Sequence, residues 1–303
     1  MQLKFKEKTV TAKGEPRAFV DLVEYKTIWF NTGTLCNLSC QNCYIESSPK
    51  NDRISFLTLD DVKPFLEEIK ALASVKSIGF TGGEPFMNPN FISILTACLN
   101  ADMECLVLTN GYKLLNKYKA DLVALKEKHA KRLKLRISLD HFDKETHEEE
   151  RGENTFQTAV DSLQWLANEG FEVSIAGRAL LTESKEKAFS GYRKLIEANA
   201  IPMTLSESNT VLFPEMILGE DVPEITTACW DILNKSPKQQ MCASERMILK
   251  RKGQEPVVVP CTLLAYDPEF ELGSSLANAE KKVYLNHEFC AKFCVLGGSS
   301  CSA

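Results

Sequence analysis

The sequence lacks the features that would assign it to a membrane or to nucleic acid. It has no apolar run of about 18 residues, the length at which a membrane-spanning helix becomes a candidate. Its first residues, Met1–Lys8, alternate charged and apolar side chains instead of forming an apolar leader. The net charge is −5, and no basic stripe interrupts the mixture of acidic and basic residues. We therefore expect a cytoplasmic protein with no membrane and no nucleic-acid partner.

Cysteine, by contrast, is plentiful, at 11 of the 303 residues. The cytosol keeps thiols reduced, so clustered cysteines there bind metal or react more often than they form disulfides. A triad near the start is Cys36, Cys40 and Cys43, and a late group is Cys242, Cys261, Cys290, Cys294 and Cys301. The remaining three, Cys98, Cys105 and Cys229, lie within apolar helix or strand patterns, and we interpret them as small buried residues.

Strand-like apolar runs alternate with helix-period segments between about residues 26 and 206. The predicted strands are Thr27–Thr34, Ser77–Thr81, Glu104–Thr109, Leu133–Leu139, Phe171–Arg178 and Ile201–Ser206. The predicted helices are Leu59–Ala73, Pro89–Asn100, Leu114–His129, Thr155–Glu169 and Ser184–Ala198. Such units predict an α/β fold with a parallel sheet and right-handed crossovers. Six units are too few for a closed eight-stranded barrel, so we expect a partial (β/α)6 TIM-like barrel or a doubly wound sheet, with functional loops at the carboxyl ends of the strands.

The regular pattern ends near residue 207. A helix is expected near Val222–Leu233, and the chain after it is rich in Gly and Pro and carries the late cysteines. A loop-rich segment buries little core, and we expect a metal to hold it together. We therefore divide the chain into an N-terminal lead-in (1–24), a core domain (25–206) and a C-terminal, cluster-binding extension (207–303).

The triad directly follows the first predicted strand, with the spacing Cys-x3-Cys-x2-Cys. A [4Fe–4S] cube takes one ligand per iron and prefers thiolates, so three cysteines would leave one iron open to a ligand that is not protein. The alternatives are a structural zinc site completed by a distant ligand, or chance clustering. A second motif, Ser77–Pro85, is a strand that ends in Gly82, Gly83 and Glu84. Its glycines let backbone approach a ligand closely, while Glu84 is expected to face a polar or cationic group.

Together these motifs resemble those of the radical SAM superfamily. The resemblance rests on the triad with the adjacent Tyr44 and on Gly82–Pro85, and it extends through Leu108–Gly111, Ile137–Asp140 and Arg151–Phe156. It covers about residues 25–206. The resemblance implies that the triad holds a [4Fe–4S] cluster whose fourth iron binds S-adenosylmethionine. One electron from the cluster would cleave that cofactor and give a 5′-deoxyadenosyl radical that abstracts a substrate hydrogen.

The resemblance also implies roles for individual residues. Gly82, Gly83 and Glu84 would bind the methionine amino group, and Tyr44 would lie against the adenine. Ser138 and Asp140 are candidates for the methionine carboxylate or the ribose. Either Arg151 or Arg178 would pair with the carboxylate, since arginine suits bidentate recognition; the alternative for each arginine is a structural ion pair.

The late cysteines resemble the twitch or shortened SPASM extensions that carry an auxiliary [4Fe–4S] cluster in this superfamily. Four ligands suffice for such a cluster, and our first choice is Cys242, Cys261, Cys290 and Cys294, with Cys301 a close substitute. The x3 and x6 spacings depart from the usual pattern of those extensions, and a zinc site or reactive thiols are the alternatives.

The expected function is that of a radical SAM enzyme that modifies a peptide or protein and takes electrons from a low-potential donor such as flavodoxin or ferredoxin. The nearest rival is a small-molecule dehydrogenase or a cofactor-biosynthesis enzyme. A rival of another class is a non-catalytic iron–sulfur protein that senses redox state or binds a partner. The intact glycine motif argues against the last, because a sensor needs no cofactor cradle.

Overall fold

Strands and helices alternate through much of the computed structural model, which describes residues 4–180, 182–215 and 221–298. The strands are β1 Phe19–Val20, β2 Thr27–Asn31, β3 Ser77–Thr81, β4 Glu104–Thr109, β5 Leu133–Ser138, β6 Glu172–Ala179, β7 Thr210–Pro214, β8 Glu245–Lys250, β9 Pro256–Val259 and β10 Val283–Tyr284. The helices are α1 Leu59–Ala71, α2 Phe91–Asn100, α3 Lys119–His129, α4 Lys144–Arg151, α5 Phe156–Asn168, α6 Lys185–Ala198 and α7 Cys229–Ile232. A π-helical segment, Cys290–Leu296, lies near the end of the described chain.

One large sheet organises these elements. Among the described residues it contains eight strands in the order β7-β6-β5-β4-β3-β2-β8-β9. From β2 to β7 each strand is parallel to the next, and β8 adds parallel to β2. β9 runs antiparallel to β8 at one edge. The expected α/β fold with a largely parallel sheet is confirmed, and the carboxyl ends of seven parallel strands meet at one edge, where a site is expected.

The helices cover the sheet with apolar faces. α1 begins with a capping box in which Asp61 N donates to Thr58 Oγ1 at 3.2 Å and Thr58 N donates to Asp61 Oδ2 at 2.8 Å. Its inner face buries Phe65 and Ile69 against strand residues such as Phe80. Burial of this kind stabilises by about 25 cal/mol per Å² of apolar surface, so packing holds the helices more firmly than capping does. None of the described helices combines the length and the apolar character that crossing a membrane requires.

The structure corrects the sixth predicted strand. Ile201–Ser206 is not a strand; the sixth parallel strand is β7, a few residues later. Pro202 has no N–H to give to a sheet, and Asn209 turns the chain back by donating its amide to Thr204 O at 2.9 Å. The helix expected near Val222–Leu233 shrinks to the single turn of α7. The predicted domain boundary at residue 207 falls before β7 and would separate that strand from the five preceding strands of the same sheet. β8 and β9 also follow this boundary, and they too belong to that sheet.

Candidate functional site

The cysteine triad lies on an irregular loop at the carboxyl end of β2. Cys36 is buried and Cys40 and Cys43 are half-buried, and all three line one cavity at this edge of the sheet. The loop is fastened at both ends, since Cys36 N donates to Ser48 O at 3.1 Å and Asn37 Nδ2 donates to Tyr112 O at 2.8 Å. The strand order therefore places the thiols where the sequence predicted them.

The glycine turn after β3 packs directly on the cysteine loop. Gly83 N donates to Gly33 O at 2.7 Å, and Glu84 N donates to Leu35 O at 3.2 Å. A Cβ atom on Gly83 would stand 2.2 Å from Leu35 O, far inside van der Waals contact. Gly82 has φ +140° and a Cβ there would stand 2.5 Å from Gly33 O. Both glycines line the cavity, so they allow two loops to meet as well as leaving backbone open to a ligand.

Glu84 faces polar groups, as the sequence predicted, and these groups belong to the protein itself. Its side chain is fully buried and accepts hydrogen bonds from Asn110 N at 2.8 Å, Thr109 Oγ1 at 2.8 Å and Phe86 N at 3.3 Å. Burial raises the pKa of this carboxyl to about 7, against the opposing effect of the three donors. Glu84 thus ties the turn after β3 to the loop after β4. That it binds a methionine amino group stays a prediction.

A buried charge network forms one wall of the cavity. Arg151 makes a bidentate pair with Asp140, with Nε–Oδ2 at 2.8 Å and Nη2–Oδ1 at 3.2 Å. Arg178 Nη2 lies 3.1 Å from Glu150 Oε1 and 3.7 Å from Asp140 Oδ2. Burial alone would raise the pKa of Asp140, but Arg151 and Arg178 outweigh it and hold the pKa below its usual range. The same pairing raises the pKa of Arg151 despite burial. Two cations and two anions balance within this wall.

The other predicted residues and an apolar surface complete the cavity. Tyr44 and Ser138 line it, as do Gly82, Asp140, Arg151 and Arg178. The apolar surface includes Phe213, Pro214, Leu263 and Phe293, with the centroids of the stacked Phe213 and Phe293 rings 5.6 Å apart. The cavity thus combines three thiols, a polar wall and an apolar wall.

The environment of the thiols suits a cationic ligand. Burial raises the pKa of Cys36 to about 12, with a further contribution from Glu84, and burial also raises the pKa of Cys40. Thiols of this kind give up their protons to a metal, which binds the thiolate. Ser47 Oγ, buried at the same cavity, has no hydrogen-bond partner in the described chain. No three His, Cys, Asp or Glu side chains within residues 4–180, 182–215 and 221–298 converge tightly enough to hold a single metal ion. Thiolate is the ligand that iron–sulfur clusters prefer, so three cysteines lining one cavity are a donor set that fits such a cluster.

Four late cysteines line a second, smaller cavity. They come from separate parts of the chain: Cys242 from the turn before β8, Cys261 just after β9, and Cys290 and Cys294 from the π-helical segment. Burial raises the pKa of Cys242 to about 12 and that of Cys261 to about 11. Thr262 Oγ1, also buried there, has no hydrogen-bond partner among the described residues. The fifth candidate, Cys301, lies outside the described residues.

The structure adds residues that sequence reasoning missed. Asn110 donates through Nδ2 to Asn37 Oδ1 at 2.9 Å and lies 3.7 Å from Cys36 Sγ. Its only signal was its position in the motif after the third strand. Glu150, which contacts the cysteine loop, and Phe293, which lines both cavities, stood in no motif that could have identified them from the sequence.

Comparison with known proteins agrees with this architecture. A family model described as the Radical SAM superfamily matches residues 30–190, more than half of the chain. The solved structure of native anSMEcpe with bound AdoMet superposes with a TM-score of 0.61 at 16% identity, covering 87% of this chain and 82% of that one. Streptococcus suis SuiB bound to S-adenosylmethionine gives a TM-score of 0.57 at 14% identity, covering 84% and 64%. At these identities the superpositions show a shared fold.

Curated relatives match over shorter stretches. The antilisterial bacteriocin subtilosin biosynthesis protein AlbA of Bacillus subtilis is 30% identical over 142 residues, 46% of this chain and 30% of AlbA. The GTP 3′,8-cyclase of Mannheimia succiniciproducens is 23% identical over 193 residues, 61% of this chain and 53% of the cyclase. The chain thus spans about half, or less, of the length of these relatives.

Proposed function

The chain belongs to the radical SAM superfamily, and on that premise we propose that it is an enzyme that binds a [4Fe–4S] cluster at Cys36, Cys40 and Cys43 and S-adenosylmethionine beside it. The observation that carries this proposal is the convergence of the three thiols and the glycine turn on one cavity. Three thiolates leave one iron of the cube without a protein ligand, which is the position a cofactor would take.

The chain's own residues prepare this cavity. When bound, the cluster supplies the one electron that cleaves S-adenosylmethionine, and hence the 5′-deoxyadenosyl radical that abstracts hydrogen from a substrate. Gly82 and Gly83 present backbone to the cofactor, while Tyr44 offers a ring for the adenine. Ser138 and Asp140, which line the same cavity, would contact the ribose or the carboxylate. Arg151 and Arg178 each already contact a carboxylate of the wall, so they act on the cofactor as part of a neutral network.

We extend the proposal to the late cysteines. A second [4Fe–4S] cluster would be held in a C-terminal extension of a partial (β/α)6 barrel by Cys242, Cys261, Cys290 and Cys294. The observation that supports this is that all four cysteines line one cavity. Zinc or reactive thiols are the alternatives. The iron content per chain after anaerobic reconstitution distinguishes a second cluster from these alternatives, because two cubes carry about eight irons and one carries about four. Cys242→Ala should lower the count from about eight to about four; a wild type that never exceeds about four argues against the second cluster.

The proposed substrate is a peptide or protein, and the electron donor a flavodoxin or ferredoxin. Two likenesses support the peptide: AlbA takes part in bacteriocin biosynthesis by its name, and SuiB has been solved with a precursor peptide, SuiA. The GTP 3′,8-cyclase of Mannheimia succiniciproducens matches a longer stretch than AlbA at lower identity, which favours a nucleotide as the second candidate. A short peptide encoded beside the gene, and GTP, are the two probes. Substrate-dependent 5′-deoxyadenosine formation with a mass change in the peptide supports the first, and the same response to GTP supports the second.

Anaerobic reconstitution tests the activity itself. The reconstituted protein, given S-adenosylmethionine and dithionite, should form 5′-deoxyadenosine, measured by liquid chromatography. Cys40→Ala should abolish it, whereas Cys229→Ser, a change outside both cavities, should leave it intact. No product from the wild type, or product that persists in Cys40→Ala, would favour a non-catalytic iron–sulfur protein.

A further inference from the structure

Glu150, the penultimate residue of α4, holds the stretch of loop between two of the triad cysteines. Its Oε1 accepts from Asn42 N at 2.9 Å, and its Oε2 accepts from Asn42 Nδ2 at 2.8 Å. Its main-chain oxygen accepts from Gln41 N at 2.9 Å. Asn42 stands directly before Cys43 and two residues after Cys40. One residue therefore makes three hydrogen bonds to the two residues that join these cysteines.

The loop itself supplies little regular structure at this point. Residues 36–47 contain turns and bends but no helix or strand. The bond from Cys43 N to Cys40 O is long, at 3.4 Å. Anchoring from a neighbouring helix thus limits the conformations that Cys40 and Cys43 adopt relative to each other.

The anchor is itself held in place. The Glu150 side chain is 11% exposed, and its Oε1 also accepts from Arg178 Nη2 at 3.1 Å. Arg178 in turn lies 3.7 Å from Asp140, the partner of Arg151, which follows Glu150 on α4. The carboxylate brings no positive charge to the thiolates, and its own charge is already paired with Arg178. Its benefit to the triad is geometric.

We propose that Glu150 is a positioning residue that holds the Cys40–Cys43 loop in the conformation that receives the cluster. The inference rests on the proposed function in that the triad is taken to bind iron. Groups that orient metal ligands from behind typically change metal affinity about 10- to 100-fold when removed. Glu150→Ala removes both side-chain acceptors, whereas Glu150→Gln retains an acceptor for Asn42 N. Rotation of the Asn42 amide restores the second bond in that variant.

The decisive experiment is hydrogen exchange of the apo-protein, read by mass spectrometry for peptides covering residues 36–46. Glu150→Ala should exchange about tenfold faster there or more, since it loses two hydrogen bonds to a charged acceptor, while peptides of β4 and α5 stay unchanged. Glu150→Gln should remain near the wild type, as should the matched control Glu149→Ala, an exposed neighbour on α4. After reconstitution, Glu150→Ala should lose iron to EDTA at least about tenfold faster than the wild type.

The proposal is overturned if residues 36–46 of Glu150→Ala exchange at the wild-type rate. It is also overturned if Glu150→Gln or Glu149→Ala accelerates exchange there as much as Glu150→Ala does. If Glu150→Ala does not fold, Asn42→Ala removes the side-chain bond alone and should accelerate exchange in the same peptides; unchanged exchange there refutes the inference. Apo-protein exchange does not depend on cofactor cleavage. A wild type that forms no 5′-deoxyadenosine therefore contradicts the proposed function, and unchanged exchange contradicts the role of Glu150.

Discussion

Replacing either partner of the Asp140–Arg151 pair is expected to lower the free energy of unfolding strongly. The two side chains are 10% and 15% exposed, and two hydrogen bonds join them. Breaking a buried pair by removing one partner costs about 3–5 kcal/mol, because the other charge stays buried without compensation. Asp140→Asn keeps the shape and removes the charge, and Arg151→Met keeps most of the apolar stem.

The double variant is expected to recover part of this loss. The network of Asp140, Glu150, Arg151 and Arg178 carries two negative and two positive charges. Each single substitution leaves one charge in excess, and the double substitution restores the balance around the remaining Arg178–Glu150 pair. The cost of the double variant should therefore be smaller than the sum of the two single costs by about 1–3 kcal/mol.

Urea unfolding at pH 7, followed by tryptophan fluorescence, measures all three variants. Asp102→Asn is the control, since Asp102 is 84% exposed in its pair with Arg132, and exposed pairs contribute at most about 1 kcal/mol. If the cost of the double variant equals the sum of the two single costs within about 0.5 kcal/mol, the argument from charge balance is refuted.

The stabilisation by Asp140 also depends on pH. Because its pKa is lowered in the folded protein, the stabilisation is present above the unfolded pKa of about 3.9 and is lost as the pH falls through the folded pKa. The difference between wild type and Asp140→Asn should thus shrink only below about pH 4.

Two further predictions concern backbone contact and a buried imidazole. Gly83→Ala should destabilise the protein by about 1–3 kcal/mol and reduce iron uptake, because its Cβ meets Leu35 O. The control is Gly253→Ala, whose Cβ meets nothing within 4 Å; it stands at φ +74°, so the variant carries about 1–2 kcal/mol of backbone strain away from the site and should leave iron uptake unchanged. Equal uptake in both variants contradicts this. Burial, aided by Arg151, lowers the pKa of His147 to about 4, and neither ring nitrogen has a hydrogen-bond partner among the described residues. As the pH falls from about 6.5 towards 4, the unfolded chain takes up a proton that the folded protein resists, so stability drops by up to about 3 kcal/mol. His147→Leu should remove that loss, and parallel pH profiles of wild type and variant would show the reasoning to be wrong.

The sequence predicted the elements whose signals are local. Five parallel strands and most of the helices between them follow from apolar periodicity, and the start of α1 follows from Thr58 and Asp61. The short helix α4 was missed because it is almost wholly polar and has no apolar period. The sixth strand was misplaced because Ile201–Ser206 has strand-like composition while Pro202 cannot donate to a sheet. The pairing of β8 with β2 was not predicted, since contacts between residues 27–30 and 245–248 leave no periodic trace in either segment.

The candidate site was predicted by position but not by contact. Strand ends located the triad and the glycine turn, because parallel strands deliver their carboxyl ends to one edge. Which charged groups pair with one another depends on side-chain packing, and so the roles of Glu84 and Glu150 were not visible. The first choice among the five late cysteines stays a prediction: Cys242 and Cys261, 19 residues apart in sequence, line one cavity with Cys290 and Cys294, and Cys301 lies outside the described residues.

Leu263 and Phe293 line both the triad cavity and the late-cysteine cavity. Each of these residues is less than a tenth exposed, so the surface that they contribute to both cavities is apolar and buried. Phe293 lies between Cys290 and Cys294 in the π-helical segment and stacks on Phe213 at the end of β7. Phe293 therefore joins the segment that carries Cys290 and Cys294 to the apolar wall of the triad cavity, and the two cavities share the side chains of Leu263 and Phe293.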